Sequence, residues 1–441
     1  MKSIENQFWK YVIPSMITVL LGGTFAFVDG IFIGQGTGDI GLTAVNLVAP
    51  IAALVTALAA GIGMGGSIVM STYAGNKDEE NMKKARGCTL LFLIIISTIL
   101  FLVGSLFSKQ IVSLLGAKGK IFDFALDYLK IVLTFGCFQM LSSGLSNLVI
   151  NSGKSVLAMI VMVGALILNI ILDGIFVLGF NMGTLGAALA TVIGQGASAI
   201  VYIIILISDK KTRPTVGDLK LEKSIAKKVI KTGISPLGIQ LAPSIVVMCI
   251  NYACVWTNGS ETLATFAVMN QLILAIQILF TGIGNGIQPI ISYCTGADNQ
   301  AAVYRTLKKA MIFMIYISIG LIVSIYVTRF NIPAMFNASS QVGNMVQKVL
   351  GYLLIMIPFI GFNRVIVPFL FASSRSKEAN ILTYIEPLII TPVSLLICCL
   401  ILSSYGIWLA MLLSQISLFL IGYVVIKKTK LEYKINVDLV K

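Results

Sequence analysis

The stretch SDKKTRPTVGDLKLEKSIAKKVIK, residues 208–231, decides how this chain is organised. It contains eight basic residues, whereas the sequence on either side of it consists mainly of long apolar runs. The chain of 441 residues is 57% hydrophobic and 11% charged, and soluble globular proteins are roughly 25% charged. Apolar runs of about 18 or more residues predict membrane-spanning helices, since the strands of a membrane barrel would alternate in polarity. The sequence therefore predicts an all-α integral membrane protein.

Six predicted spans precede the basic stretch and six follow it. We therefore expect an N-terminal lobe (1–207, spans one to six), a cytoplasmic basic linker (208–228), and a C-terminal lobe (229–441, spans seven to twelve) with a short cytoplasmic tail. The predicted transmembrane helices are 8–34, 43–74, 88–107, 122–147, 155–180, 184–207, 229–256, 263–294, 310–328, 345–372, 378–402 and 406–426.

The two halves share a weak internal repeat at a shift of about 221 to 225 residues. GIGMGGSIVMSTYAG at 61 aligns with GIGNGIQPIISYCTG at 282, and VIPSM at 12 aligns with ISPLG at 234. The second match pairs Pro14 with Pro236 and places Asp29 opposite Asn251. Because each half has an even number of spans, both halves have the same orientation. Such parallel repeats are related by a pseudo-two-fold axis along the membrane normal, with a central cavity between the lobes.

The basic residues are distributed asymmetrically across the predicted membrane. With the N-terminus inside, 25 of the 32 Lys and Arg residues lie in inner loops and tails, against four in the outer loops. The positive-inside rule therefore places both termini in the cytoplasm. Topology and contact with anionic lipid of the bilayer explain the net charge of +14, so we expect no nucleic-acid partner.

Several kinds of chemistry have no motif in this chain. It has no histidine, and its seven cysteines show no metal-ligand spacing. GxxxxGK[ST], GxSxG and HExxH do not occur, so we expect no built-in ATPase, no enzyme and no cofactor. The glycine cluster GIGMGG at 61–66 lies within an apolar span without a preceding strand, which predicts close helix packing rather than a dinucleotide site.

Four polar residues of the first half are predicted to lie in the outer half of the membrane. Asp29 is six residues before Gln35, which directly follows span one, Asp173 is seven from the outer end of span five, and Thr191 is seven into span six. At 1.5 Å per residue these depths are roughly 9, 11 and 11 Å. Asn169 precedes Asp173 by four residues, so it lies on the same helix face one turn deeper.

The aspartates need a compensating charge if they are ionised there. No lysine or arginine occurs in these spans at that depth, so either a cation binds or a proton stays on. Carboxylate, amide and hydroxyl oxygens suit Na⁺, and two nearby carboxylates also favour holding a proton. Taken singly, Asn169 and Thr191 also fit structural roles, since Asn can join helices and Thr can bond its own i−4 carbonyl.

The segments FVDGIFIG, LNIILDGIFVLGFNMGTLGAALAT and QPIISYCTGA, together with twelve spans in two halves, resemble the multidrug and toxic compound extrusion (MATE) transporters, closest to their bacterial branch. The resemblance implies a secondary antiporter that exports amphipathic organic compounds, especially cations, in exchange for H⁺ or Na⁺ by alternating access. It further implies a multi-pass protein of the bacterial cytoplasmic membrane. We also expect a functional monomer, with no cofactor besides the coupling ion.

The resemblance also assigns roles to residues of the first half. It implies a cation site, for H⁺ or Na⁺, on spans one, five and six. It implies that a proline bends span one during transport. The matching positions are Asp29, Asn169, Asp173 and Thr191 for the cation site, and Pro14, with its repeat mate Pro236, for the bend.

The second half departs from the family pattern. Asn251 occupies the position of the second half that is equivalent to Asp29. Span ten carries Arg364 in GFNRVIVP, and span eleven carries Glu386. Arg364 is nine residues before Ser373 and Glu386 is nine after Lys377, the residues that flank the inner ends of these spans, so both lie at roughly 14 Å depth. Two interpretations follow: a buried ion pair, or an arginine that faces the cavity and selects substrates with an acidic group.

An alternative function is a flippase for lipid-linked oligosaccharides or lipids, from the related superfamily. That class should show additional spans and a strongly cationic cavity. This chain has twelve predicted spans and one arginine that is a candidate for the cavity. The same oxygens can bind H⁺ and Na⁺, so both coupling ions remain open.

Overall fold

The computed structural model describes residues 2–208, 218–257, 260–335 and 340–440, and every regular element among them is helical, as predicted. The centre of the predicted linker, 209–217, lies outside the described residues. The main helices in chain order are α1 (Gln7–Gly38), α2 (Ile40–Gly75), α3 (Glu79–Leu114), α4 (Gly119–Thr134), α5 (Gly136–Asn151), α6 (Ser155–Gly179), α7 (Gly183–Ser208), α8 (Lys223–Thr257), α9 (Ser260–Gly296), α10 (Gln300–Thr328), α11 (Ser340–Ala372), α12 (Ser376–Leu402) and α13 (Ser404–Val440).

Within the described residues, eleven helices are long and apolar enough to cross a membrane, and each corresponds to one predicted span. The remaining prediction, 122–147, is a pair of shorter helices, α4 and α5. They meet at Phe135 (φ −103°, ψ 12°), directly before Gly136. Glycine is a weak helix former, which favours a break at this point. Together the two helices cover 119–151, slightly more than the predicted span.

The helical stretch Lys2–Gly75 contains the first two predicted spans and breaks at Gly38. Gly38 has φ 63° and ψ −156°, a conformation that only glycine adopts readily because it lacks a Cβ atom. This residue lies between the predicted ends 34 and 43. The break therefore confirms that two helices, and not one, occupy this part of the sequence.

The internal repeat is visible in how α3 and α10 begin. Asp78 caps α3 by accepting a hydrogen bond from the Asn81 backbone N–H (3.1 Å), and Asn299 caps α10 by accepting one from the Ala302 N–H (3.1 Å). The two caps are 221 positions apart, and the residue before each has a left-handed φ, 60° and 53°. The hydrogen bonds from Asn81 lower the pKa of the Asp78 carboxyl.

By their contacts the helices form two compact units. The first contains Met1–Leu241 and Ser292–Asp298, and the second contains Ala242–Ile291 and Asn299–Lys441. The lobe boundary that we expected at the linker stays a prediction, since the centre of the linker lies outside the described residues.

Small residues allow close helix packing in the first unit. A Cβ added to Gly63 on α2 would lie 2.5 Å from the Gly144 Cα on α5, and one added to Gly66 would lie 1.9 Å from the Thr89 Oγ1 on α3. Both distances are far shorter than a van der Waals contact. The role in helix packing predicted for GIGMGG is thereby confirmed.

In the second unit, α11 is the most enclosed of the candidate spans, with 72% of its most apolar 18-residue window buried. Gly361 lies against Met314 of α10 and Phe280 of α9, and the rings of Phe362 and Phe419 of α13 are 4.6 Å apart. Three helices therefore contact the part of α11 directly before Arg364.

Candidate cation-coupling site

The structure brings all four residues of the predicted cation site together. Asp29 on α1 is 6% exposed, and its carboxylate accepts hydrogen bonds from the Asn169 Nδ2 (3.2 Å) and the Thr191 Oγ1 (2.6 Å). Asn169 on α6 also lies 3.4 Å from the Thr191 hydroxyl of α7. One carboxylate therefore links α1, α6 and α7 at a single point.

Asp173 on α6 completes the group and differs from Asp29 in its surroundings. It is fully buried, and neither of its carboxylate oxygens accepts a hydrogen bond from any described residue. It lies close enough to Asp29 that either carboxyl, when protonated, could donate a hydrogen bond to the other. The Asn169 Oδ1 is also buried without a donor. Buried acceptors without donors are costly, so these three oxygens indicate a place for a cation or a proton.

Local sequence explains why these side chains converge. A Cβ added to Gly194 on α7 would lie 3.1 Å from the Ala165 carbonyl oxygen and 3.4 Å from the Asn169 Cβ, so α6 and α7 are in close contact beside the site. Directly after Asp173, α6 changes to a π-helical segment, Gly174–Gly179. Such wider turns occur frequently at functional sites.

The polar atoms of this site are all hard oxygen ligands apart from one amide nitrogen. Carboxylate, amide and hydroxyl oxygens are hard ligands of the kind that Na⁺ prefers, and a pair of adjacent carboxylates can share a proton. In the described part of the chain, no group of three or more His, Cys, Asp or Glu residues could hold a metal ion. The role of the four residues in ion coupling stays a prediction.

Sequence reasoning missed Tyr128 on α4. This half-buried residue lies within electrostatic range of both Asp29 and Asp173, and it packs against the apolar cluster formed by Ile33, Val177 and Ala187. The depth argument could have found it. Tyr128 is six residues into the predicted fourth span, which starts outside, so its expected depth is roughly 9 Å, the level of Asp29.

The backbone carbonyl that the proline of α1 leaves without a helical donor is bound by a side chain of α6. Pro14 is buried and lacks an N–H, so the carbonyl of Lys10, four residues earlier, receives no helical hydrogen bond from it. The Ser155 hydroxyl donates to that carbonyl instead, at 2.7 Å. Its repeat mate Pro236 is buried within α8. The bending role of both prolines stays a prediction.

The direct ion pair between Arg364 and Glu386 is not present. The Arg364 Nη2 donates to the Gln277 Oε1 (2.5 Å), and the Glu386 Oε1 accepts from the Gln415 Nε2 (2.5 Å). Each charged group is instead paired with a neutral amide. The physical reason is that α9 and α13 place these amides nearer to the charged groups than the charges are to each other.

Comparison with known proteins gives a consistent result. The sequence profile described as MatE matches two segments of this chain, 14–175 and 237–396. The multidrug export protein MepA of Staphylococcus saprophyticus subsp. saprophyticus is 24% identical over 393 residues, which cover 89% of this chain and 86% of MepA. MepA of Staphylococcus aureus strain MRSA252 is 23% identical over 384 residues, 87% of this chain and 85% of that protein.

Solved structures share the fold. A MOP superfamily transporter from Pyrococcus furiosus has a TM-score of 0.89 at 20% identity, with 96% of this chain and 94% of that chain covered. A mutant of the MATE transporter VcmN of Vibrio cholerae, in which one aspartate is replaced by asparagine, has a TM-score of 0.88 at 19% identity, with 97% of each chain covered. These likenesses confirm the predicted all-α membrane fold.

Proposed function

This chain belongs to the MatE family and is a multi-pass membrane transporter, not an enzyme; we propose that it exports amphipathic organic compounds, especially cations, in exchange for H⁺ or Na⁺. The relatives named multidrug export protein are bacterial and support this assignment. We place the protein in the bacterial cytoplasmic membrane, where it acts as a monomer by alternating access.

The observation that carries this proposal is the carboxylate of Asp173. It is fully buried within a membrane helix and accepts no hydrogen bond from any described residue, while a second carboxylate, Asp29, lies beside it. A bare charge in that setting is costly, and two neighbouring bare charges are costlier. The pair therefore takes up a proton or Na⁺ whenever the outer side supplies it.

Coupling follows from the helices that the ion connects. Asp29 belongs to α1, Asp173 and Asn169 belong to α6, and Thr191 belongs to α7. An ion that binds all of these oxygens draws the three helices together, and its release lets them separate. Pro14 weakens α1 because it removes one backbone hydrogen bond, so α1 bends there as the ion binds and leaves.

The test is dye efflux from proteoliposomes that contain the purified protein. Ethidium is loaded inside, and a pH gradient and a Na⁺ gradient are imposed separately, with protein-free liposomes as the control. We expect at least one inward gradient to drive efflux well above the control. Efflux that requires ATP and no ion gradient would overturn the proposed class.

The proposed topology has its own test. Both termini and the basic linker are expected in the cytoplasm, so a cysteine introduced at Thr215 should react with a membrane-impermeant maleimide only from the cytoplasmic side. The unsubstituted chain provides the background from its seven native cysteines. Labelling of the introduced cysteine from outside intact cells would mean that the linker is extracellular. The proposed orientation and the direction of ion loading would then both be reversed.

A further inference from the structure

Helix α11 carries an arginine at a depth where the rest of the helix is enclosed by protein. From Ile360 to Ala372 every residue is buried except Arg364, which keeps part of its side chain accessible. Arg364 is eight residues, roughly 12 Å, from the end of α11. Because its neighbours around the whole helix are buried, the accessible part of Arg364 faces a space inside the protein and not the lipid.

The backbone at this arginine is held in place by close packing. A Cβ added to Gly284 on α9 would lie 2.6 Å from the Arg364 carbonyl oxygen and 2.8 Å from the Pro368 Cγ. Pro368 has no N–H to donate to that carbonyl, which is four residues earlier. The two helices therefore meet directly at Arg364, and this packing holds its backbone in place.

The guanidinium uses only part of its hydrogen-bonding capacity. Its Nη2 donates to the Gln277 Oε1, and no other described residue accepts a hydrogen bond from it. The remaining nitrogens, Nε and Nη1, are not among the buried polar atoms that lack a partner, so they remain accessible. Arg364 can therefore donate to a further oxygen acceptor without losing its existing bond.

Glu386 on α12 is held in a similar way. It begins a π-helical segment, Glu386–Ile390, and its Oε1 accepts from the Gln415 Nε2. The Asn363 Nδ2 in turn donates to the Gln415 Oε1 (2.9 Å) and to the Gln415 carbonyl (3.1 Å), which orients that amide toward Glu386. The other carboxylate oxygen of Glu386 has no donor among the described residues and remains accessible.

The two charges are thus close enough to interact electrostatically and yet are not in contact. A direct buried ion pair is not required for stability, and here each charged group hydrogen-bonds to a glutamine instead. A ligand could therefore reach the unused N–H groups of Arg364 and the free carboxylate oxygen of Glu386, because these two groups do not pair directly with each other.

We propose that Arg364 binds the carboxylate of amphoteric organic substrates, whose cationic end is stabilised by Glu386. A guanidinium matches the two oxygens of a carboxylate with parallel hydrogen bonds, which a neutral ester cannot accept as strongly. An otherwise identical cation meets repulsion from Arg364 instead. This inference rests on the proposed export function and adds to it a preference for zwitterions within the substrate range.

The test uses two dyes that share one fluorophore. Rhodamine 110 carries a free carboxylate, and rhodamine 123 is its methyl ester. Fluorescence anisotropy of each dye, titrated with the purified chain in detergent without any gradient, gives the two dissociation constants. Because a carboxylate on a guanidinium is a charge-assisted interaction, we expect rhodamine 110 to bind about tenfold more tightly than rhodamine 123.

Variants assign this preference to one residue. Arg364→Gln should weaken rhodamine 110 binding roughly tenfold and change rhodamine 123 binding by less than about twofold. Arg364→Lys should retain part of the preference, since it keeps the charge but loses the fork. The matched control is Arg375→Gln, which removes the arginine that pairs with Glu378 at 3.5 Å and should leave both constants unchanged.

Equal affinity of the unsubstituted chain for the two dyes would overturn the proposal, as would equal effects of Arg364→Gln on both. If that variant does not fold, the comparison of dyes on the unsubstituted chain decides the question. Failure of the proposed antiport would look different. Neither dye would then leave proteoliposomes under any ion gradient, whatever their affinities in detergent.

Discussion

The two polar clusters within the membrane spans balance their charges in different ways. In the first unit, Asp29 and Asp173 lie together with an amide and a hydroxyl and have no basic partner among the described residues. In the second unit, Arg364 and Glu386 carry opposite charges, and each is bound by a glutamine. The first cluster therefore carries only acidic side chains, which is why we propose that it binds an ion, whereas the second carries one charge of each sign, which is why we propose that it binds a zwitterion.

The halves share a scaffold without sharing a site. Asp173 precedes one π-helical segment and Glu386 begins another, so each half places an acid where α-helical geometry is interrupted. The two acids, however, are 213 positions apart, and the helix caps of the repeat are 221 apart. The acids are therefore not repeat mates. The internal repeat therefore extends to the helices and their caps but not to these two acids.

The largest expected effect concerns the first cluster. Asp29→Asn and Asp173→Asn each keep the size of the side chain and remove its titration, so each should reduce gradient-driven ethidium efflux at least about tenfold. The double variant should be scarcely worse than either single one, because groups that act as one site are not additive. Efflux from proteoliposomes under the gradient that drives the unsubstituted chain measures all three.

The matched control is Asp127→Asn, which removes an exposed carboxylate from α4. It should transport normally. Normal efflux by a well-expressed Asp29→Asn variant would remove the ion-coupling role from the first cluster and with it the contrast between the two clusters.

Pro14→Ala should have the next largest effect. The alanine restores a backbone N–H that can donate to the Lys10 carbonyl, in competition with the Ser155 hydroxyl. We therefore expect α1 to become stiffer at this point. We expect several-fold slower efflux, while ion affinity changes by less than about twofold. Isothermal titration with Na⁺ or H⁺ measures affinity separately from transport. An equal loss of both would place Pro14 in the ion site rather than in a hinge.

Glycines behind the two clusters should differ in their tolerance to a methyl group. Gly284→Ala drives a Cβ to within 2.6 Å of a backbone oxygen of α11, so it should lower the free energy of unfolding by about 1 to 3 kcal/mol. Gly194→Ala, behind the first cluster, meets its nearest atom at 3.1 Å and should cost less.

Gly320→Ala is the control for both, because nothing lies within 4 Å of the added atom. In a helix this change should stabilise by about 0.5 to 1 kcal/mol. Thermal unfolding in detergent ranks the three variants, and a cost at Gly320 equal to that at Gly284 would contradict the packing argument.

The smallest expected effect concerns the coupling between Arg364 and Glu386. Since the two charges interact without direct contact, the destabilisation by Arg364→Gln and by Glu386→Gln should depart from additivity by only about 0.5 to 1 kcal/mol in the double variant. A direct buried ion pair would behave otherwise, because loss of one partner alone costs about 3 to 5 kcal/mol. A double variant clearly more stable than either single variant would restore the ion-pair interpretation.

Much of the first cluster was predictable because depth in a membrane can be counted along a helix. Asp29, Asp173 and Thr191 were placed at one level from span ends alone, and the structure joins Asp29 to Thr191 directly. Tyr128 lies at the same counted depth as Asp29, but tyrosine is common near the ends of membrane spans and so does not indicate a site by itself. The partners Gln277 and Gln415 were not predictable, since sequence spacing does not specify which faces of distant helices meet.

The sequence by itself determined the class of the protein, the helical spans, the repeat and the level of the polar residues. The physical reason is that a bilayer requires long apolar helices and makes every charge within them exceptional. Tertiary structure decided which polar atoms are partnered. Whether Asp173 has a donor, whether Arg364 contacts Glu386 or Gln277, and where α4 gives way to α5 depend on helix packing. Helix packing depends on the fit between the surfaces of whole helices, so it cannot be deduced from the residues around one position.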